Sequence, residues 1–241
     1  MRLYAASIDR WLFPPALAHA LNLVAIAGTP LLALLFFVDR DTFGFILDED
    51  YVVEWGQVAL YIATGVAGAW VAADRFRRGY RGQGIVWVLF VLGMVFIAGE
   101  EISWGQRLLG FETPELLEEI NRQNEITLHN IGRTLTVFNL ALFFASLYAI
   151  AADWINQRWK LAARWPDGER LYVPPFFLAG LFGVMVAYRF VRSILLNQDS
   201  YALTSLSEWA ELCFAAALFI SVFLSARWLA GRVANGAASA D

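Results

Sequence analysis

Six runs of about 20 apolar residues are the feature that most limits how this chain can fold. A helix needs about 20 such residues to cross the hydrocarbon core of a bilayer. Closed β-barrels also cross membranes, but their strands alternate in hydropathy over about ten residues, and no such alternation is present. Only 17% of the residues are charged, against about a quarter in soluble domains. The sequence therefore predicts an all-α, polytopic transmembrane bundle forming a single membrane domain over residues 1–241.

The apolar runs and the residues between them set the predicted boundaries. Thr113-Pro114 supplies an N-cap and first-turn pair, which predicts a short interfacial helix over about 114–124, between the third and fourth spans. The six predicted spans are approximately 16–38, 52–73, 84–109, 131–155, 172–196 and 203–229.

The distribution of basic residues predicts the orientation. If both termini are cytoplasmic, 12 of the 18 Lys and Arg residues lie on the inner side, as the positive-inside rule requires. On the same assignment, 16 of the 22 acidic residues lie on the outer side. We therefore expect an N-in, C-in protein.

Several classes of site are excluded or disfavoured by composition. Cys213 is the only cysteine, so neither an intramolecular disulfide nor a thiolate metal cluster can form. His19 and His129 are the only histidines, which disfavours zinc sites built from three histidines. No Gly-rich phosphate loop and no basic patch outside the topogenic loops is present, so we expect no nucleic-acid partner.

The stretch Glu100-Glu101-Ile102-Ser103-Trp104-Gly105-Gln106-Arg107 follows an apolar run and carries an unusual density of polar groups. Polar side chains at membrane depth are costly unless they face the protein interior or water, so they mark a candidate functional site. On the predicted topology, five of the six spans bring charged or amide groups to the outer third of the membrane. The inner halves of the spans are expected to be nearly bare of polar groups.

Helical spacing predicts that these groups converge. Glu54 and Gln57, and likewise Glu208 and Glu211, are three residues apart and share a helix face. Glu100, Ser103 and Arg107 are expected to share one stripe of a continuous third helix. We assign candidate catalytic roles to Glu100, Glu101, Ser103 and His129. Candidate substrate-binding residues are Gln57, Gln106, Arg107, Asn130, Arg189 and Arg192.

A divalent cation is a candidate cofactor, because oxygen-rich sites with one imidazole suit Mg, Mn, Ca or Zn. Its candidate ligands are Glu54, Glu101, His129, Glu208 and Glu211. A second interpretation remains open for the acids, as interface-level groups bonded to their neighbours. For Arg189 and Arg192, contact with outer headgroups and pairing with the acids are equally open.

The phrase Gly99 to Arg107, followed by Asn121-x-Gln123-Asn124-Glu125-x-x-Leu128-His129-Asn130, resembles a block of uncharacterised bacterial polytopic membrane proteins. The resemblance covers about 32 residues. It implies a multi-pass protein of the bacterial inner membrane and carries no particular activity.

Three functions compete on this sequence. The leading hypothesis is a membrane-embedded hydrolase or transferase that acts on a lipid or lipid-linked substrate at the outer leaflet. The second is a non-catalytic subunit or scaffold whose acidic outer face docks a protein partner. The third is a proton-coupled transporter, since intramembrane acids with a histidine also form proton relays. Membrane lipids are expected partners in each case.

Overall fold

The structure is a computed structural model that describes residues 2–48, 51–110, 112–114, 126–127, 132–192 and 200–238. Regular secondary structure in these ranges is entirely helical. Six helices are long and apolar enough to cross a membrane, and they correspond to the six predicted spans. The predicted interfacial helix over 114–124 lies outside the described residues, apart from Pro114.

Ten α-helices are formed by the described ranges. In chain order they are α1 Arg2–Trp11, α2 Pro15–Val38, α3 Arg40–Leu47, α4 Val52–Arg77, α5 Arg81–Glu101, α6 Gln106–Leu109, α7 Gly132–Trp159, α8 Gly168–Leu171, α9 Ala179–Phe190 and α10 Tyr201–Ala238. Short 3₁₀ turns lie at Ser103–Gly105, Ala162–Arg164 and Phe176–Leu178.

Helix α4 packs against α5 and α10, and it also contacts α3. Helix α9 packs against α10, α7 and α2. The largest apolar core combines many alanine and other aliphatic side chains with larger ones, and Tyr61, Phe182, Met185 and Phe214 are among its buried members. The packing brings the start of α4, the end of α5, the end of α9 and the start of α10 to one end of the bundle, which we call the acidic end.

The third span ends earlier than the sequence predicts. Helix α5 stops at Glu101, and the next residues leave the right-handed helical region: φ is +48° at Ser103, +54° at Trp104 and +82° at Gly105. Side chains at left-handed φ are disfavoured, and glycine alone adopts it without penalty. Glu100, Ser103 and Arg107 therefore do not share one stripe of a continuous helix, and that prediction is wrong.

The fifth span is interrupted. It consists of the single turn α8, the non-helical residues 172–175 and then a 3₁₀ turn that leads into α9. Pro174 and Pro175 explain the break, because proline lacks an amide hydrogen and the residue before it avoids helical geometry. The sequence predicted that this span begins at about residue 172 and did not predict the extra helical turn before it.

A network of ion pairs occupies the end of the bundle opposite the acidic end. Arg75 is fully buried; it pairs with Asp74, and its Nη1 atom donates to Asp167 Oδ2 over 2.8 Å. Arg232 also pairs with Asp167, and Arg10 pairs with the buried Asp153. Of these six charged residues only Asp153 lies inside a predicted span, so the expectation that the inner halves of the spans are nearly bare of polar groups stays a prediction.

Candidate functional site

The acidic end joins helices α4 and α10 through an amide and a carboxylate. Gln57 is fully buried, and its Nε2 atom donates to the Glu208 carboxylate over 2.9 Å and to the Glu208 carbonyl over 3.0 Å. Glu54, one turn earlier on the same face of α4, is also buried. The predicted i,i+3 pairing of Glu54 and Gln57 on one face therefore holds, and Gln57 is used to hold Glu208.

A buried arginine joins α9 to α10 at the same end. The Nη2 atom of Arg189 donates to Glu211 Oε1 over 2.7 Å, and the Arg189 side chain is 6% exposed. Arg192 donates through Nη1 to the hydroxyl of Tyr188 over 2.8 Å, and that hydroxyl donates to the Leu203 carbonyl. Of the two interpretations left open by the sequence, Arg189 follows the one in which it pairs with an acid.

Glu101 lies where the carboxylates converge. Four other glutamates, Glu54, Glu100, Glu208 and Glu211, lie within electrostatic range of its side chain. We call these five residues the carboxylate cluster. Within the described part of the chain, Glu101 has no hydrogen-bond or ion-pair partner, which distinguishes it from the other members.

Unlike Glu101, its neighbour in sequence, Glu100 has a hydrogen-bond partner among the described residues. It is 2% exposed, and its Oε1 atom accepts a 2.7 Å hydrogen bond from Nε1 of Trp104. The Trp104 ring folds back onto Gly99, where an added Cβ would stand 2.9 Å from the ring. The left-handed backbone at Ser103 and Trp104 makes this return possible, so the two adjacent acids have separate surroundings.

Three short segments of the sequence are alike, each with a tryptophan followed by a small residue and a polar one, but their tryptophans have different structural roles. The segments are Glu54-Trp55-Gly56-Gln57, Ser103-Trp104-Gly105-Gln106 and Glu208-Trp209-Ala210-Glu211. Trp55 and Trp104 are about half exposed, whereas Trp209 packs against Gly28 of α2 and donates from Nε1 to the Ala25 carbonyl over 3.3 Å. Trp209 therefore fixes α10 to α2, which an aromatic belt at the membrane surface would not do.

The remaining predicted site residues are distributed as follows. Ser103 is buried inside the left-handed turn. Gln106 holds two loop segments, because its Nε2 atom donates to Thr113 Oγ1 over 2.6 Å and its Oε1 atom accepts from the Ile126 amide over 2.7 Å. The side chain of Arg107, together with His129 and Asn130, lies outside the described residues.

Among the residues that the structure describes, no three His, Cys, Asp or Glu side chains form a group that could hold a metal ion. Glu54, Glu101, Glu208 and Glu211 are near one another without meeting that arrangement, and their predicted imidazole partner His129 is not described. The metal-site prediction therefore stays a prediction.

Charge balance decides what this arrangement can do chemically. Among the described residues, five carboxylates lie near one buried guanidinium, that of Arg189, which is already paired with Glu211. The partly buried Arg192 lies at the same end. Charged groups are costly at low dielectric unless a partner neutralises them. Such a cluster is suited to take up a proton or another cation, and its carboxyl groups can exchange protons with a bound molecule.

Two tyrosines of the site were missed by the sequence interpretation. Tyr61 is fully buried and lies within electrostatic range of Glu101, Glu208, Glu211 and Arg189. It follows Gln57 by four residues and Glu54 by seven, so helical spacing on α4 could have identified it. Tyr188 precedes the candidate site residue Arg192 by four residues, so the same spacing could have identified it.

Comparison of the chain with protein-family models, with curated proteins and with solved structures gave no match. The function must therefore be argued from the site itself.

Proposed function

We propose that the acidic end is the active site of a membrane-embedded enzyme, a hydrolase or transferase that acts on a lipid or lipid-linked substrate. The observation that carries the proposal is the position of Glu101: a half-buried carboxylate without a partner among the described residues, surrounded by four other carboxylates. If these groups served only to join helices through ion pairs, each carboxylate would need a cationic partner, and an excess of carboxylates would not be required.

In this proposal each side chain has a separate task. Glu101 is the general base or acid, which takes a proton from an attacking hydroxyl or water and returns it to the leaving group. Gln57 and Arg189 are positioning residues, because they hold Glu208 and Glu211 in place. Arg192, which is partly exposed, contacts the anionic part of the substrate.

We also propose that the acidic end faces the outside of the cell and that both termini are cytoplasmic. The excess of basic residues at the opposite end supports this orientation. It can be measured in a Cys213→Ser background with single cysteines introduced by Asp41→Cys or Arg164→Cys. A membrane-impermeant maleimide should label only the Asp41→Cys protein in intact cells, and labelling of Arg164→Cys alone would contradict the orientation.

The catalytic proposal is tested by incubating wild-type and Glu101→Gln proteins with a total polar lipid extract and comparing the products by mass spectrometry. The wild type should convert at least one lipid class. The Glu101→Gln variant should fold and lose that conversion by about 10²-fold or more, the usual contribution of general acid–base catalysis. Asp41→Asn, which removes an exposed carboxylate near the same end, is the matched control and should retain activity.

A divalent cation bound with the help of His129 is a separate proposal. Elemental mass spectrometry of the purified protein, with His129→Ala and Glu101→Gln beside the wild type, tests it. A near-stoichiometric metal lost in both variants supports the site, and equal metal content in all three proteins contradicts it.

The scaffold is the second candidate function, and the paired groups of the site favour it. Gln57 with Glu208 and Arg189 with Glu211 tie helices together, as a structural site would require. If the Glu101→Gln variant folds and gives the same lipid products as the wild type in the lipid-extract assay, the result would favour the scaffold over the enzyme.

The transporter receives less support. The ion pairs at the opposite end place polar groups there, and the interrupted fifth span resembles the broken helices of transporters. However, Tyr61 and Asp74 are separated along α4 by about 20 Å at 1.5 Å per residue. Between them, Thr64 donates back to the Leu60 carbonyl, and the packing around α4 is apolar. The described residues therefore offer no continuous polar path.

A further inference from the structure

A cavity of about 220 Å³ lies between α5, α7, α10 and the interrupted fifth span, away from the acidic end. Its walls are mostly aromatic and aliphatic side chains, including Val86, Trp87, Phe90, Tyr148, Tyr172 and Val222. An apolar cavity of about 150 Å³ accepts a molecule as large as benzene. This one is therefore large enough for a segment of an alkyl chain.

Three hydroxyl groups in the walls already donate within the protein, whereas the buried Nε1 atom of Trp87 has no hydrogen-bond partner among the described residues. Ser221 donates to the Ala217 carbonyl over 2.8 Å, and Ser225 donates to the carbonyls of Arg170 and Ser221. The Tyr148 hydroxyl donates to the Tyr172 carbonyl. Apart from the Trp87 indole, a guest in this cavity meets mostly hydrocarbon and hydroxyl groups that already donate, which suits an acyl chain better than a polar molecule.

The cavity opens toward the part of the surface that lipid would cover. Val86 lies in its wall and is 52% exposed on α5, one of the six candidate spans. Residues 172–174 have non-helical backbone and also line the cavity. In a membrane, irregular backbone is tolerated where it lines a cavity or is buried in protein.

Arg170 places a positive charge at the same cavity. Its Nη1 atom donates to the backbone carbonyl of Arg10, and its guanidinium lies 4.7 Å from the Trp11 ring and 5.6 Å from the Trp228 ring. Within the described ranges, no carboxylate forms an ion pair with it.

Among the described residues, the charged neighbours of Arg170 do not form ion pairs with its guanidinium. Arg10 is paired with Asp153, and Arg227 donates to the Trp11 carbonyl. Glu169 accepts from the neutral amide of Asn156 and keeps its negative charge, so it offsets part of the positive charge of Arg170. A basic group between helices, at a membrane surface, is the arrangement that binds anionic lipid headgroups.

We propose that this cavity binds one acyl chain of an anionic phospholipid whose phosphate contacts Arg170. The site is separate from the acidic end and independent of the function proposed there. It would fix the interrupted fifth span at the end of the bundle opposite the carboxylate cluster.

The test is native mass spectrometry of the full-length protein with equal amounts of phosphatidylglycerol and phosphatidylcholine that carry the same acyl chains. The wild type should retain phosphatidylglycerol about fivefold more than phosphatidylcholine, which corresponds to about 1 kcal/mol for one basic residue near an anionic headgroup. Equal retention of the two lipids would overturn the proposal.

Three variants separate the charge from the cavity. Arg170→Gln should bring the ratio of retained phosphatidylglycerol to retained phosphatidylcholine close to one. Arg164→Gln, which removes an exposed arginine at the same end, should leave this ratio unchanged. Val86→Trp narrows the opening at a half-exposed position and should reduce retention of both lipids. Unchanged retention in Val86→Trp would show that lipid binds elsewhere and would overturn the proposal even if Arg170→Gln fails to fold.

A second measurement places the chain itself. Trp87 lines the cavity and is 5% exposed. Phosphatidylglycerol with brominated acyl chains should therefore quench the fluorescence of Trp87, and the Trp87→Phe protein should show correspondingly less quenching than the wild type. Equal quenching of the two proteins would contradict occupancy of the cavity by an acyl chain.

Discussion

At the scale of single residues, Gly99 is required by the ring that lies against it. A Cβ added at Gly99 would stand 2.9 Å from the Trp104 ring, which a hydrogen bond to Glu100 holds in place. We expect Gly99→Ala to destabilise the protein by about 1–3 kcal/mol, the usual cost of forcing extra atoms into a packed site. The control is Gly93→Ala on the same helix, where an added Cβ meets no atom within 4 Å.

The stability of both variants can be followed by thermal unfolding in detergent with a thiol-reactive dye. Cys213 is the only cysteine and is buried, so its labelling reports on unfolding. Gly93→Ala should leave the midpoint unchanged or raise it, because alanine is favoured over glycine inside helices. A midpoint for Gly99→Ala equal to that of Gly93→Ala would show that the Trp104 ring moves without cost.

The hydrogen bonds of Asp39 predict that the stability of the N-terminus of α3 depends on pH. Its carboxylate accepts from the Thr42 amide over 3.0 Å and from the Thr42 hydroxyl over 2.6 Å, and these bonds lower the pKa of Asp39. The cap therefore stabilises α3 at neutral pH, and its contribution is lost as the pH falls through the lowered pKa.

Hydrogen exchange at the Thr42 amide measures this cap. At neutral pH, Asp39→Ala should speed the exchange about fivefold, whereas Asp39→Asn should keep most of the protection, because asparagine caps helices as well as aspartate does. The Asp39→Asn protein should also lose the acid sensitivity of the wild type. Equal exchange in the alanine and asparagine variants would contradict a role for the side chain in capping.

At the scale of elements, the end of α5 is set by the left-handed turn at Ser103–Gly105. Two of its three residues carry side chains in a conformation that costs about 1–2 kcal/mol each, so packing and hydrogen bonding around Trp104 must offset that cost. Gly105 has a φ of +82°. We expect Gly105→Ala to lower the free energy of unfolding by about 1–2 kcal/mol.

Gly79 supplies a matched control for this turn. It has nearly the same φ, +83°, lies at the opposite end of α5 and has no atom near an added Cβ. Gly79→Ala should therefore lower the unfolding midpoint by a similar amount, since the backbone penalty is the same. If only Gly105→Ala is tolerated, the turn is able to reorganise, and the geometry at Glu101 would be expected to change with it.

At the scale of the whole molecule, Arg75 ties three segments together at the end opposite the carboxylate cluster. Its guanidinium holds Asp74 on its own helix and Asp167 before α8, and Arg232 of α10 reaches the same Asp167. Removing one partner from a buried ion pair leaves an uncompensated charge. We expect Arg75→Gln to destabilise the protein by about 3–5 kcal/mol.

Arg77→Gln is the control, because it removes a positive charge from the same helix end at an exposed position. Both variants change the topogenic charge equally, so insertion should be equally affected, and only Arg75→Gln should lower the thermal midpoint strongly. Similar midpoints would mean that the ion pairs at this end contribute little to stability.

The sequence by itself determined the class of fold and the helix faces that carry several of the acids. Apolar runs of about 20 residues predict helices long enough to cross a membrane, and six such helices are present among the described residues. Helical spacing placed Glu54 with Gln57 and Glu208 with Glu211 on shared faces. These features follow from local periodicity, which is readable along the chain without knowledge of the partners.

Only the tertiary structure decided how those faces are used. The pairing of Gln57 with Glu208 and of Arg189 with Glu211 depends on which helices are neighbours, and so does the joining of Arg75 to Asp167, 92 residues away. The left-handed turn after Glu101 depends on the fit of the Trp104 ring against Gly99, since no local preference of Ser103 and Trp104 favours a positive φ. Periodicity specifies which face of a helix is polar, but the contacts on that face are made by residues distant in sequence.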